Sequence, residues 1–409
     1  MTSTLAWLDH DPTERERMTR ILALFSEKES RDELGLGAIR DSLAETLFPG
    51  TSTIQTRLRY MLFIPWIYQK LEESGVSATE VARRARKAQT ELITPLLGQG
   101  EDGGREEGVL GRLARGDLKR LPSAVYWAGL GSWGIRLYGG NQEQYHRAFD
   151  QLRERRKNSR RRDDLDIHDD PVVTWHPDLP GAPEGFPRDV SFALRRDESI
   201  FIRDRILERH GDSLLAWFAR DPAVNVDADQ VWEHPHLSTF TPVHQELVHH
   251  CSVFSEAMFG AALVYNLQLA ELRQDEELTA DYANALNEWV NDLDEKGWLV
   301  KTREWDLVRF WQLVCTPGHT VTEFARRFAE GWVAFTRTGT LNAVTGREAR
   351  GLVRERERFL KKAHSRFANQ RALDQWGGQA GVFRGNYRWP AASRLLSDLK
   401  APLNSAEAE

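Results

Sequence analysis

Apolar positions recur at three- and four-residue spacing through most of the chain, which is the period of an amphipathic helix. Met18, Ile21, Leu22 and Phe25 make the first such repeat. Leu36 to Leu47 makes the second, with Ile39, Leu43, Ala44 and Leu47 on one face. Phe48-Pro49-Gly50 then breaks the pattern. A third helix is expected from near Ser52 to about Glu73. Ser52-Thr53-Ile54-Gln55 fits a capping box at its start, and Pro65 should kink it or end its regular part. Ala78 to Leu97 predicts a helix whose polar face carries Arg83, Arg84, Arg86 and Lys87. After a glycine-rich loop, Gly98 to Gly108, a short helix is expected near Val109 to Arg115. Another runs from Pro122 to Gly134, a short strand fits Ile135 to Tyr138, and a helix follows from Gln142.

The pattern changes most sharply at Arg153 to Asp170. Seven basic residues fall between Arg153 and Arg162, and five acids between Asp163 and Asp170. A proline-rich stretch, Pro171 to Pro187, comes next. These features predict a mobile linker and a domain boundary. Helical spacing resumes over Asp197–His210, Ser213–Arg220, Pro242 to about Leu272, Asp281–Leu293, Glu304–Val314, Val321–Thr336 and Ala349–Trp376. The segment Phe254 to Leu269 is apolar almost all round, which marks a buried central helix. The charged helix after Ala349 is expected to extend from the core. The expected organisation is a helical domain over 1–150, a linker over 151–190, a helical domain over 191–403 and a disordered tail over 404–409. The fold class is mainly α, with helix-turn-helix or winged-helix-like units in the N-terminal half and a helical bundle in the C-terminal half.

Composition narrows the function classes. The chain has 409 residues, too many for one ordinary core. Its formal net charge is −6, so attraction to nucleic acid requires a local basic patch rather than a whole-molecule field. Two cysteines, Cys251 and Cys315, give no disulfide framework and no Cys-x-x-Cys pair, which suits a reducing cytoplasm. The N-terminal segment lacks an apolar signal core, and no run of about 18 apolar residues is expected to span a membrane.

A set of short strings points further. They are Gly35-Leu36-Gly37-Ala38-Ile39-Arg40-Asp41, Leu47-Phe48-Pro49-Gly50-Thr51-Ser52, Phe63-Ile64-Pro65-Trp66, Tyr126-Trp127-Ala128-Gly129-Leu130, Gln144-Tyr145-His146, Trp175-His176-Pro177 and Tyr387-Arg388-Trp389. Together, and in this order, they resemble a bacterial family of unknown function, DUF family 6361, over nearly the whole chain. The resemblance implies a role in defence against foreign DNA, alongside helicase or phospholipase D-like nuclease subunits. It implies no particular reaction and carries over no catalytic residue.

The residues themselves offer several sites, each with a structural alternative. Leu36 to Tyr68 has the form of a helix-turn-helix. Its second helix would open with Thr51, Ser52, Thr53, Gln55, Thr56, Arg57 and Arg59, groups suited to phosphates and base edges. The alternative is a structural hairpin, and an internal ion pair at Arg57 would decide for it. Val109 to Gly140 has the order of a winged helix, with Arg112, Arg115, Lys119, Arg120 and Arg136 supplying charge. Its Trp127, Leu130 and Trp133 equally fit a core stripe. The basic run, with Arg155, Arg156, Lys157, Arg160, Arg161 and Arg162, could neutralise several phosphates or be a solvated block. Arg366 to Trp389 mixes arginine and aromatics that could stack on bases or dock the C-terminal segment.

Two Glu-x-x-His pairs, Glu143–His146 and Glu246–His249, have the spacing of a helical di-metal site but lack two further carboxylates. No phosphate-binding P-loop, Gly-x-Ser-x-Gly, His-Glu-x-x-His or His-x-Lys-x-x-x-x-Asp string occurs. The expected function is therefore a non-catalytic, DNA-associated or scaffolding component of a defence complex, with no cofactor. A metal-dependent enzyme and a pure protein–protein adaptor are the alternatives.

Overall fold

A computed structural model describes residues 32–98, 107–112, 118–163, 173–315 and 320–404, without the side chains of 156–163. These residues are mainly helical, as their periodicity requires. Their only β pairing is an isolated antiparallel bridge between Arg136 and Trp175. They form two compact units. One joins the residues up to Leu43 to His249–Gly385, and the other joins Ala44–Val248 to the chain from Asn386 on. The expected cut at 151–190 is replaced by one that helix α9 (Pro242–Arg273) runs through, and the Met18–Phe25 helix lies outside the described residues.

The unit containing Ala44–Val248 holds α2 (Tyr60–Glu73), α3 (Val81–Glu91), α4 (Ile93–Leu97), α5 (Pro122–Ser132), α6 (Gln142–Asp163), α7 (Arg196–His210), α8 (Leu214–Arg220) and the C-terminal helix Trp389–Asn404. α1 (Gly37–Leu47) leads into it. α2 packs on α3 and α5, and α3 packs on α6. Pro122 occupies the first turn of α5, where a missing N–H costs nothing. Gly134 ends that helix with φ +68°, where a Cβ would strike the Arg209 guanidinium.

Three expectations fail here for identifiable reasons. The helix predicted from Ser52 starts instead at Tyr60, and Pro65 lies inside it without ending it. The amides before Tyr60 find partners outside a helix. Those of Thr56 and Arg57 donate to the Tyr126 hydroxyl at 2.8 and 3.0 Å, and that of Leu58 donates to Asp398 at 2.8 Å. Only half of the capping box forms, with the Ser52 amide donating to Gln55 Oε1 at 3.1 Å. Next, the predicted strand pair reduces to the single bridge, and Val109–Arg112 is a turn, so the winged-helix order is not realised in the described residues.

The expected linker is the third. Its basic run continues α6 as helix to Asp163. Beyond the undescribed 164–172, Trp175 is buried against Tyr68, Trp127 and Tyr145. The proline-rich chain is held because its aromatics enter the core. Phe186 meets Trp66 edge-on with centroids 5.3 Å apart, and the Trp66 indole donates to the Pro180 carbonyl at 2.6 Å.

The other unit contains α10 (Glu276–Glu295), α11 (Trp298–Glu304), α12 (Leu307–Val314), α13 (Glu323–Thr336), α14 (Leu341–Val344), α15 (Arg347–Lys361) and α16 (Gln370–Asp374). α9 has the length and apolar composition of a membrane span, but 89% of its apolar window is buried inside the protein. Gly260 on α9 makes room for Trp289, since a Cβ there would lie 2.2 Å from the indole ring. The predicted helix Ala349–Trp376 stops at Lys361, where Lys362 takes φ +49°. It does not project from the core. Arg356 and Glu357 are buried, with Arg356 Nε donating to the Leu34 carbonyl at 2.8 Å and Glu357 accepting the Arg366 amide at 2.9 Å. The last helix, α17 (Trp389–Asn404), was not expected, although Leu395, Leu396, Leu399 and Leu403 repeat at helical spacing and are buried.

Candidate nucleic-acid interface

α3 has the sequence VARRARKAQTE. Val81, Ala85 and Gln89 recur every four residues and form its buried edge. Gln89 is fixed at both ends of its amide. Its nitrogen donates to the Ala85 carbonyl at 3.1 Å, and its oxygen accepts the Ser123 amide at 2.7 Å. Every other face of the helix turns outward, so Arg83, Arg84, Arg86 and Lys87 are all exposed. Four cations against Glu91 give this one helix a net charge of +3 on a chain of net −6. That is the local patch nucleic-acid attraction requires.

The four cations differ in how free they are. Arg83 pairs with Glu80 at 2.7 Å, and Arg86 reaches the Leu118 carbonyl at 3.3 Å. Lys87 stands 3.7 Å from Glu91, both side chains more than half exposed, a geometry that contributes little. Arg84 has no side-chain partner among the described residues. It faces a groove of about 960 Å³ between α2 and α3–α4, closed on one side by Gly185–Arg188. Lys70 and Arg188 also line the groove, also without side-chain partners among the described residues. Ile67, Leu71, Phe186 and Pro187 supply its apolar lining.

α6 adds charge beside α3. Asp150 on α6 accepts the Ala78 amide at 3.1 Å, and Arg153 donates to the Gly75 carbonyl at 2.6 Å. The helix then runs ten more residues past that turn, roughly 15 Å at the standard rise. Arg155, Arg156, Lys157, Arg160, Arg161 and Arg162 all lie on this stretch, and the Arg155 side chain is exposed.

The residues expected at a recognition helix sit differently. Thr51 is buried, and its hydroxyl donates to the Phe48 carbonyl at 2.6 Å. Ser52 is half-buried, Thr53 is exposed, and Gln55 is buried with its amide on the Gly50 carbonyl. Arg57 Nε bonds both oxygens of Asp398, and its guanidinium lies 4.6 Å from the Phe192 centroid. Arg59 makes a buried pair with Glu198 at 2.9 Å and donates to the Ser191 carbonyl. Arg57 is turned to an internal pair, the amides of Thr56, Arg57 and Leu58 are already bonded, and the helix begins at Tyr60, so these residues do not form the helix N-terminus with free amides that the sequence suggests.

Arg136 is likewise turned inward. It donates to the Trp127, Tyr138 and Gly140 carbonyls and lies over the Trp127 ring, and burial holds its guanidinium below its ordinary pKa. Arg112 is half-buried in a turn, Lys119 and Arg120 are exposed, and Arg115 lies outside the described residues. At the C-terminal segment, Arg388 pairs with Glu45 at 2.5 Å, and Tyr387 and Trp389 are buried, so these groups dock the segment.

The Glu-x-x-His pairs are not brought into a common site. Glu143 pairs with Arg147. His146 bonds the Tyr68 hydroxyl at 2.8 Å, and burial keeps its imidazole below the ordinary pKa. Tyr68, itself pushed up to about 12 by burial, also accepts from Gln142. Among the described residues no three His, Cys, Asp or Glu side chains gather to hold a metal ion.

The basic face of α3 is legible in the sequence, and its groove is not. Lys70 lies in the last turn of an apolar helix, and Phe186 and Arg188 lie in or beside the proline-rich stretch whose composition reads as a linker. Only the packing of Phe186 on Trp66 places them together.

Residues 2–402 match a family model described as a family of unknown function, DUF6361, and the chain belongs to that family. No curated protein matches the chain. No solved structure matches it.

Proposed function

Within this family, we propose that the protein is a non-catalytic, nucleic-acid-associated component of a complex acting against foreign DNA, and that α3 is the element that meets the phosphate backbone. One observation carries the reading. α3 turns Arg83, Arg84, Arg86 and Lys87 outward on a net acidic chain, and Arg84, without a side-chain partner among the described residues, lines a groove with Lys70 and Arg188. A cation that spends no charge on an internal carboxylate keeps its full attraction for phosphate. The basic half of α6 adds to the same field. The defence setting, and helicase or phospholipase D-like nuclease partners, rest on the family resemblance alone. The test is a fluorescence-anisotropy titration of labelled DNA at about 50 mM salt, where electrostatic binding is strongest. Saturable, salt-sensitive binding supports the reading, and its absence contradicts it.

A separate observation favours a scaffolding contribution from the other unit. Phe324 on α13 and Phe359 on α15 stack face to face with centroids 4.0 Å apart, yet each is about half exposed, at 51% and 49%. Leu360 beside them is 37% exposed. Solvent-facing aromatics grouped in this way suit a protein partner. Co-purification of a nuclease or helicase subunit from the native host, lost on Phe359→Asp, tests it.

A further inference from the structure

The groove beside α3 combines two features that a duplex backbone alone does not need. It has an aromatic side chain in its wall, and three of its lining cations have no side-chain partner among the described residues. Phe186 lines the groove and is held by Trp66, edge-on at 5.3 Å, and by Phe63 at 5.9 Å. Trp66 is itself pinned by its indole bond to the Pro180 carbonyl, so the platform is set before any ligand arrives. Lys70, Arg84 and Arg188 stand around it, and with Lys87 they outnumber the one lining carboxylate, Glu91, by three charges (four cations less one anion). The volume of about 960 Å³ is at the upper end for a small-ligand pocket, and the site is open rather than enclosed, so a chain can enter and leave it.

An aromatic face amid phosphate-binding cations is the arrangement that holds an unpaired base. Bases in a duplex present only their edges in the grooves, and their faces are taken by their neighbours. We infer that the groove binds single-stranded DNA, with a base against Phe186 and the flanking phosphates on Arg84, Lys70 and Arg188. This rests on the nucleic-acid reading above and adds strand preference to it.

The test is anisotropy with a labelled 12-nucleotide oligothymidylate and a 12-base-pair duplex under identical salt, using wild type, Phe186→Leu and Phe186→Tyr. Thermal melting of each variant checks that it folds, and Phe186→Tyr keeps both the π face and the packing. The expected result is tighter binding of the single strand than of the duplex. Phe186→Leu should lose about tenfold on the single strand only, and Phe186→Tyr should retain it. Equal affinity for both probes, with Phe186→Leu unchanged, overturns the groove assignment and leaves the DNA reading standing. Absence of binding to either probe overturns both. A thymidine monophosphate competitor that displaces the strand at its own micromolar concentration assigns the groove to a free nucleotide and overturns the strand assignment.

Discussion

Arg57 and Asp398 lie 341 positions apart in the chain, yet the Nε of one donates to both carboxylate oxygens of the other, at 3.1 and 3.0 Å. The same carboxylate accepts the Leu58 amide, so a single acidic side chain on the C-terminal helix organises the turn that leads into α2. Arg57→Ala would leave Asp398 mostly buried with half its partners gone. The expected outcome is a loss of roughly 2 kcal/mol of stability, typical of a hydrogen bond to a charged group, with DNA affinity unchanged. Urea denaturation and anisotropy on the same preparation check both halves. A large drop in affinity without a drop in stability would return Arg57 to the interface.

Trp66 supports Phe63 and Phe186 and is 3% exposed. Trp66→Ala removes that support and should cost roughly 3–5 kcal/mol, as for other buried aromatics. Denaturation midpoints measure this. Because Phe186 loses its backing, single-strand affinity should fall in the same variant while it remains folded.

Gly260 tests the other unit. A methyl group there would meet three atoms of the Trp289 ring between 2.2 and 2.6 Å. The indole is fully buried and cannot swing away cheaply. Gly260→Ala should therefore destabilise by about 1–3 kcal/mol, the usual cost of overpacking, although alanine favours a helix over glycine. A stabilised variant would show that Trp289 is not packed on α9 as described.

Lys400 gives a pH-dependent signature. Its ammonium donates to the Asp221 and Val224 carbonyls beneath α17, and burial pushes its pKa from 10.5 down to about 8, with Asp221 opposing in part. Between these values the unfolded chain holds more protons on this group than the folded one. The contribution of Lys400 to stability therefore rises with pH from about 8 to 10.5 and is constant below that window. Stability of wild type minus that of Lys400→Met should shift in favour of wild type between pH 8 and 10, read by chemical denaturation. A flat difference would contradict the burial.

The parts of the fold legible in the sequence were those fixed by local chemistry. α9 was readable end to end because its apolar run has helical period and opens at Pro242. α5 and α8 were readable from Pro122 and from Ser213, which caps α8 through a bond to the Ala216 amide. The segment before Tyr60 was not, because the groups that hold it out of a helix are Tyr126 and Asp398, far away in sequence. The proline-rich end of the expected linker was illegible for a similar reason: proline and charge suggest mobility, while Trp175 and Phe186 pack on aromatic side chains distant in sequence. At the candidate site, the four cations of α3 were visible as charge. Which of them has a partner, and which faces a groove, depends on tertiary contacts that spacing does not encode.

Whether α3 meets phosphate is read from the salt dependence of DNA binding by wild type and by Arg84→Glu/Lys87→Glu. Both side chains are exposed on α3, so the exchange should leave the fold intact. Wild type should bind at about 50 mM salt, with log affinity falling linearly in log salt. In the double variant affinity should be weaker and the slope shallower by about 1.4 to 1.8, the counterions of two phosphate contacts. No binding by the wild type, or the same affinity and slope in the variant, would contradict phosphate contact at α3.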